Sequence, residues 1–166
     1  MIRSVLYATD LSLYASYVLQ HALAIGRAFK ADVHVLHVVE PLGLFAESVL
    51  QSYLDQDSLA ALHEQGLATV MQTLSDKVTS SFIEELDPES KDADRIASIE
   101  VLQGDPAHVI LSEAKRLQVD LLVIGSHSYG AELETPLGRT ADHLLQMSTI
   151  PVYLVPITSL RQSMSL

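Results

Sequence analysis

The sequence predicts an α/β fold: a doubly wound, five-stranded parallel sheet flanked by helices on both faces, in a single domain. Five short apolar segments alternate with segments of helical periodicity, in the order β-α-β-α-β-α-β-α-β. The fourth strand segment, residues 119–124, is the most apolar, which is typical of strands that helices cover on both faces of a sheet. The length of 166 residues suits one hydrophobic core.

The predicted strands and helices are bounded by residues that favour turns. The strands are predicted at residues 5–8, 33–39, 98–102, 119–124 and 150–155. The helices are predicted at residues 15–29, 59–82, 106–117 and 139–147. We expect Asp10 or Ser12 to cap the first helix, and Asp105, followed by Pro106, to begin the third. Residues 42–56 have no clear period and are predicted to form a loop.

The composition disfavours several classes of partner. Ten lysine and arginine residues stand against 21 aspartate and glutamate residues, a net charge of −11, which disfavours a surface for nucleic acid or anionic lipid. The chain has no cysteine, which fits a reducing compartment. No apolar run approaches the ~20 residues that span a bilayer, and Asp10 comes too early for the apolar core of a signal peptide. We therefore expect a cytoplasmic protein with no membrane or nucleic-acid partner.

Topology and loop length indicate a binding site at one edge of the sheet. In a doubly wound sheet, ligands bind beyond the carboxyl ends of the strands, where the winding direction reverses, and the first strand borders that crevice in either common strand order. The first strand is followed by Asp10, which is therefore a site candidate. The loop from Gly125 to Gly138 is about twice as long as the usual ~2–6 residues. Its terminal glycines and the helix N-terminus that follows form an arrangement that can hold phosphate.

Six segments along the chain carry a resemblance to a known family. They are Thr9-Asp-Leu-Ser12, Leu36-His-Val-Val-Glu-Pro41, Gly104-Asp-Pro106, Asp120-Leu-Leu-Val-Ile-Gly-Ser-His127, Leu137-Gly-Arg-Thr-Ala141 and Ile150-Pro-Val-Tyr-Leu-Val155. In this order they resemble the universal stress protein family. The resemblance implies a Rossmann-like domain of the adenine nucleotide α hydrolase-like type over residues 1–157. Residues 158–166 have little to pack against and are predicted to form a mobile C-terminal tail.

The resemblance also implies an adenine-nucleotide site, with ATP or AMP as the ligand and Mg²⁺ accompanying ATP. The adenine and ribose would lie against the end of the first strand and the second strand, at Ala8, Thr9, Asp10 and Val38. The phosphates would lie against the loop and the start of the last helix, at Gly125, Ser128, Gly138, Arg139 and Thr140.

The loop departs from the pattern of the family's ATP binders, which is Gly-x2-Gly-x9-Gly-[Ser/Thr]. Ser128 stands at the middle glycine position, and Arg139 follows the last glycine, with a threonine only at Thr140. ATP binders of the family tend to have basic residues in this loop, whereas this chain has Glu132 and Glu134. Two carboxylates near a triphosphate are repulsive unless they point outward or hold a bridging Mg²⁺. Arg139, by contrast, could pair with a phosphate directly.

Two classes of function follow from these residues. The first is an adenine-nucleotide-binding regulatory module of the stress response, without strong catalysis. The second is a dimeric interaction protein of the same family that binds no nucleotide and whose loop meets a protein partner of unknown identity. Ser128 and the two loop glutamates favour this second class. Family members commonly pair their last strands, and the apolar edge strand from Ile150 to Val155 predicts a homodimer.

Catalysis and metal binding have little support in the sequence. Ser126 and His127 adjoin each other, and Asp10 is expected nearby, but adjacent loop residues rarely align as a catalytic triad and no Gly-x-Ser-x-Gly turn is present. His34 and His37 lie three positions apart in one strand and should point to opposite faces. We therefore predict no metal site, no catalytic residue and at most slow ATP hydrolysis.

Overall fold

The computed structural model of the chain describes residues 1–41, 52, 55–61, 67–86, 90–127 and 137–157. Its strands are β1 (Ser4–Thr9), β2 (Asp32–Val39), β3 (Ile96–Gln103), β4 (Leu121–Gly125) and β5 (Val152–Val155). They form one sheet in the order β3-β2-β1-β4-β5, and every pairing is parallel. The predicted doubly wound sheet is confirmed, and of the two common strand orders for such a sheet, 2-1-3-4-5 and 3-2-1-4-5, this protein has the second.

The helices lie between the strands as expected. They are α1 (Ala15–Phe29), α2 (Gln56–Ala61), α3 (Leu67–Glu85), α4 (Pro106–Arg116) and α5 (Arg139–Met147), and a short 3-10 turn at Ala93–Arg95 precedes β3. The helix predicted at residues 59–82 corresponds to parts of α2 and α3. Residues 62–66, most of the predicted loop at residues 42–56 and the predicted tail at residues 158–166 lie outside the described residues. Among the residues described, none of these helices has the length and apolar character needed to cross a membrane.

The core has two layers because side chains alternate across the sheet. Val5 and Tyr7 of β1 face one side, whereas Leu6 faces the other. On the first side, α1 and α3 cover the sheet through Val18, Leu19, Ala22, Leu23, Val78 and Phe82. On the second side, α4 and α5 cover it through Ala107, Ile110, Ala114, Ala141 and Leu144. Helices therefore flank both faces, as predicted.

The helix caps are partly as predicted. Asp105 caps α4: its Oδ1 accepts the N–H of His108 at 3.0 Å, and Pro106 occupies the first turn. The prediction that Asp10 or Ser12 caps α1 is wrong, because the N-cap is Tyr14 and has no side-chain cap. Asp10 and Ser12 instead accept backbone N–H groups within the turn that precedes α1.

Asp120 joins the start of β4 to the start of β1. Its Oδ2 accepts the N–H groups of Arg3 and Ser4 at 2.7 and 3.2 Å. The hydrogen bond from the Arg3 amide is the largest cause that holds the pKa of Asp120 below its usual 3.8. A backbone hydrogen bond from His108 likewise lowers the pKa of Asp105. The ionised form of each of these two carboxylates therefore stabilises the folded state.

We expect the Asp120→Asn variant to unfold at a lower temperature than the parent protein at pH 7, and this difference to disappear on acidification. Because the folded pKa lies below the unfolded one, the stabilisation is present above the unfolded value of about 3.8 and is lost as the pH falls through the folded value. Thermal unfolding from pH 7 to pH 3 tests this. The surface variant Asp94→Asn is the control. A difference in unfolding temperature between Asp120→Asn and the parent protein that stayed constant with pH would contradict the stabilising role of the ionised Asp120.

Candidate functional site

The chain winds in opposite directions from β1, and a cleft opens where the direction changes. From β1 the sheet continues to β2 and β3 on one side and to β4 and β5 on the other. At the carboxyl ends of β1 and β4 lies a cleft of about 380 Å³. This is the position at which doubly wound sheets bind ligands.

Eight of the nine predicted site residues line this one cleft: Ala8, Thr9, Asp10, Val38, Gly125, Gly138, Arg139 and Thr140. They come from the ends of β1, β2 and β4 and from the first turn of α5. The ninth, Ser128, lies outside the described residues, as do Glu132 and Glu134. The sequence prediction thus identified a set of residues that the fold brings together.

The turn after β1 forms one wall of the cleft and is held by its own side chains. Thr9 Oγ1 accepts the N–H of Leu11, and Asp10 Oδ1 accepts that of Ser12. Leu11 has a φ of 58°, a left-handed conformation that costs a non-glycine residue about 1 kcal/mol or more. His37 of β2 braces the turn from the side, with Nδ1 at 2.8 Å from the carbonyl oxygen of Thr9.

Ser126 joins the three chain segments that form the opposite wall. Its N–H donates to Val155 at the end of β5, and its carbonyl accepts the N–H of Gly138. Its Oγ accepts the N–H of Ile157 at 3.0 Å and lies 3.0 Å from Nδ1 of His127. Ser126 and His127 are 4% and 5% exposed. The serine therefore serves as a buried junction between these segments.

The two glycines of the loop have different roles. A Cβ on Gly125 would lie 2.6 Å from Cδ1 of Ile157 and 3.4 Å from Cγ2 of Val18, so this glycine permits close packing behind the cleft. Gly138 has φ −67° and ψ 151°, which any residue can adopt. As the N-cap of α5 it offers no side-chain oxygen to the first amides of the helix.

Arg139 reaches across the mouth of the cleft to Glu40. Its Nη2 lies 2.9 Å from Oε1 of Glu40, which follows β2, and both side chains are largely exposed. From the sequence, Arg139 was expected to pair with a phosphate, whereas in the structure its partner is the carboxylate of Glu40. An exposed ion pair of this kind contributes at most about 1 kcal/mol, so a ligand could displace it.

Sequence reasoning did not select His37 and Glu40 for the site. Both lie at the carboxyl end of β2, beside β1, so the topological rule that selected Asp10 applies to them also. Ser126 and His127 were considered only as catalytic candidates. No group of three or more His, Cys, Asp or Glu residues within the described parts of the chain is placed to hold a metal ion.

Comparisons with known proteins agree with this architecture. Residues 1–156 match the family model described as "Universal stress protein family". Universal stress protein MJ0577 of Methanocaldococcus jannaschii is 24% identical over 155 residues, which are 93% of this chain and 95% of that protein. Universal stress protein YxiE of Bacillus subtilis is 42% identical over 52 residues, 31% of this chain and 35% of its own.

Solved structures share the fold. The structure of MJ0577 superposes with a TM-score of 0.67 at 23% identity, covering 94% of this chain and 96% of that one. A universal stress protein crystallised in complex with cAMP gives a TM-score of 0.52 at 16% identity, covering 93% and 97%. With a family model that spans residues 1–156 and the same doubly wound sheet, this chain belongs to the universal stress protein family.

Proposed function

We propose that this protein is an adenine-nucleotide-binding regulatory module of the stress response, without strong catalysis. The observation that carries the proposal is the cleft between the carboxyl ends of β1 and β4, lined by eight of the residues that the family pattern assigns to a nucleotide. A cleft at the switch point of a doubly wound sheet is suited to a flat base with a charged appendage.

The lining of the cleft combines the two kinds of chemistry that a nucleotide requires. Apolar side chains, those of Ala8, Leu36, Val38, Ile110 and Ile124, contribute to it and offer packing for a base. Towards α5, the first turn of the helix offers N–H groups and the positive end of the helix dipole. A phosphate would lie there.

A relative lends support. One universal stress protein has been crystallised with cAMP, an adenine nucleotide, and its fold matches this chain over 93% of the length. Ser126 and His127 are 4% and 5% exposed, and Ser126 Oγ accepts the N–H of Ile157, so we propose binding, and not turnover, as the activity.

We expect the purified protein to release AMP, ADP or ATP on heat denaturation, and millimolar AMP or Mg-ATP to raise its melting temperature by roughly 5 °C or more. Anion-exchange chromatography of the released material and a thermal-shift assay measure these effects. A nucleotide-free preparation that shows no shift with either ligand would overturn the proposal and favour the dimeric interaction protein as the function.

A variant in the first turn of α5 sharpens this test. Thr140→Glu places a carboxylate at the phosphate end of the cleft, where it repels the ligand while remaining compatible with a helix N-terminus. We expect the ligand-induced shift to be lost in Thr140→Glu. Gln146→Glu, which adds the same charge to an exposed position of α5, should keep it.

We also propose that the protein is a homodimer that pairs its β5 strands. β5 is an edge strand of the sheet, and the carbonyl groups of Pro151 and Val155 accept hydrogen bonds from the β4 side. Because the backbone groups of successive strand residues point to opposite sides, the N–H groups of Val152 and Leu154 point away from β4, towards the open edge. In an antiparallel pair formed by these two residues, Tyr153 lies at the two-fold axis beside its counterpart. Its side chain is 40% exposed, and its hydroxyl lies 3.0 Å from Nδ1 of His21 in α1.

We expect the protein to sediment at twice its chain mass of 18.1 kDa, and the Tyr153→Lys variant to sediment as a monomer. Two lysines facing each other across the axis repel, and an unfavourable cross-strand pair weakens the strand pairing. Analytical ultracentrifugation measures both. Phe29→Lys, at another exposed aromatic position, is the control for added charge. A Tyr153→Lys variant that remained fully dimeric would exclude β5 as the interface.

A further inference from the structure

The ion pair between Arg139 and Glu40 leaves the cleft with an unusual balance of charge. Arg139 begins α5, and Glu40 follows β2, so the 2.9 Å contact spans the cleft mouth between elements 99 residues apart in the chain. Both residues line the cleft. The guanidinium that would receive a phosphate already holds a carboxylate.

The charged residues that line the cleft extend this observation. The lining residues that the structure describes include three with formally charged side chains: Asp10, Glu40 and Arg139. Two of these side chains are carboxylates and one is a cation, so carboxylates outnumber cations among the lining residues that the structure describes.

This balance suits a ligand with one phosphate group better than a ligand with three. A single phosphate can share Arg139 with Glu40 and can also bind the amides at the start of α5. The guanidinium and these amides each favour an anion. Each additional phosphate brings negative charge towards Glu40 and Asp10, and the described lining of the cleft has no cation besides Arg139 to meet it.

We propose that the cleft selects an adenine nucleotide with one phosphate group over the triphosphate, and that Glu40 is the specificity-determining residue. The proposal rests on the nucleotide-binding function proposed above. Glu40 acts in two ways: it occupies Arg139 in the free protein, and its charge stays at the cleft mouth when a phosphate displaces it.

Isothermal titration with adenosine, AMP and ATP, first in EDTA and then in Mg²⁺, tests the proposal. In EDTA we expect AMP to bind about tenfold or more tightly than ATP. Adding Mg²⁺ should narrow this ratio, because the cation offsets part of the triphosphate charge. Discrimination by cleft size alone would not respond to the cation in this way.

The Glu40→Gln variant removes the charge with little change in shape. We expect its affinity for ATP in EDTA to rise about tenfold and its affinity for AMP to rise by a smaller factor, so that the AMP preference shrinks. Glu100→Gln is the matched control, since Glu100 also pairs with an arginine of a neighbouring helix, Arg116, but lies outside the cleft lining. It should leave the ratio unchanged.

Three results would overturn the proposal. ATP binding in EDTA as tightly as AMP would contradict the charge argument, and equal changes for AMP and ATP in Glu40→Gln would exclude Glu40 as the selecting residue. Both of these outcomes leave nucleotide binding intact. Failure of adenosine, AMP and ATP alike to bind would instead refute the proposed function itself, and this inference with it.

Discussion

Replacing Tyr7 by alanine is expected to lower the free energy of unfolding by about 3–5 kcal/mol, the largest effect of any single change considered for this protein. Tyr7 lies in the central strand β1 and is 1% exposed. Its ring meets that of Phe82 in α3 edge to face at 6.2 Å, and its hydroxyl donates to the carbonyl of Ala15 at 2.7 Å. The alanine variant loses the packing of two helices on the sheet and leaves a cavity.

Tyr7→Phe separates the two contributions. This variant keeps the ring and removes only the hydroxyl that bonds Ala15, so we expect a loss of about 1 kcal/mol. Urea unfolding of both variants gives the comparison, and the exposed Tyr17→Ala variant is the control for a lost tyrosine. If Tyr7→Phe were as destabilised as Tyr7→Ala, the hydrogen bond and not the packing would dominate.

The second large effect is expected at Ser126. In Ser126→Ala the buried N–H of Ile157 loses its acceptor and His127 loses a polar neighbour, which should cost about 1–3 kcal/mol of unfolding free energy. Because the same hydroxyl holds the backbone of Ile157, which lines the cleft, we expect nucleotide affinity to fall in the same variant. Urea unfolding and titration with AMP measure the two effects.

Ser112→Ala is the control for Ser126→Ala. Ser112 is exposed on α4, and its replacement should change the unfolding free energy by less than about 0.5 kcal/mol. An equally small change in Ser126→Ala would mean that the hydroxyl has no structural role, and the buried Ser126–His127 pair would then need another explanation.

Much of the fold was predictable because its signals are local. The alternating segments, the apolar fourth strand and the Gly104-Asp105-Pro106 start of α4 depend on neighbours within a few residues, and all three predictions are confirmed. The cap of α1 was mispredicted because Asp10 and Ser12 have suitable side chains, but the chain makes one more turn before the helix begins. The sequence pattern does not contain that turn geometry.

The candidate site was predictable in part for a different reason. A topological rule places any residue at the carboxyl end of β1 or β4 beside the cleft, so Asp10 and Gly125 follow from strand order. Glu40 follows from the same rule, but its importance depends on meeting Arg139 across the cleft. A pair of side chains 99 residues apart leaves no periodic signal in the sequence.

The sequence by itself determined the fold class, the family resemblance and eight residues that line the cleft. Only the tertiary structure decided the strand order 3-2-1-4-5, the pairing of Arg139 with Glu40 and the role of Ser126 as a buried junction. The physical reason is that periodicity and capping are encoded by residues close in the chain. The charge that Arg139 can accept from a ligand, by contrast, depends on Glu40, the carboxylate that the fold places opposite it.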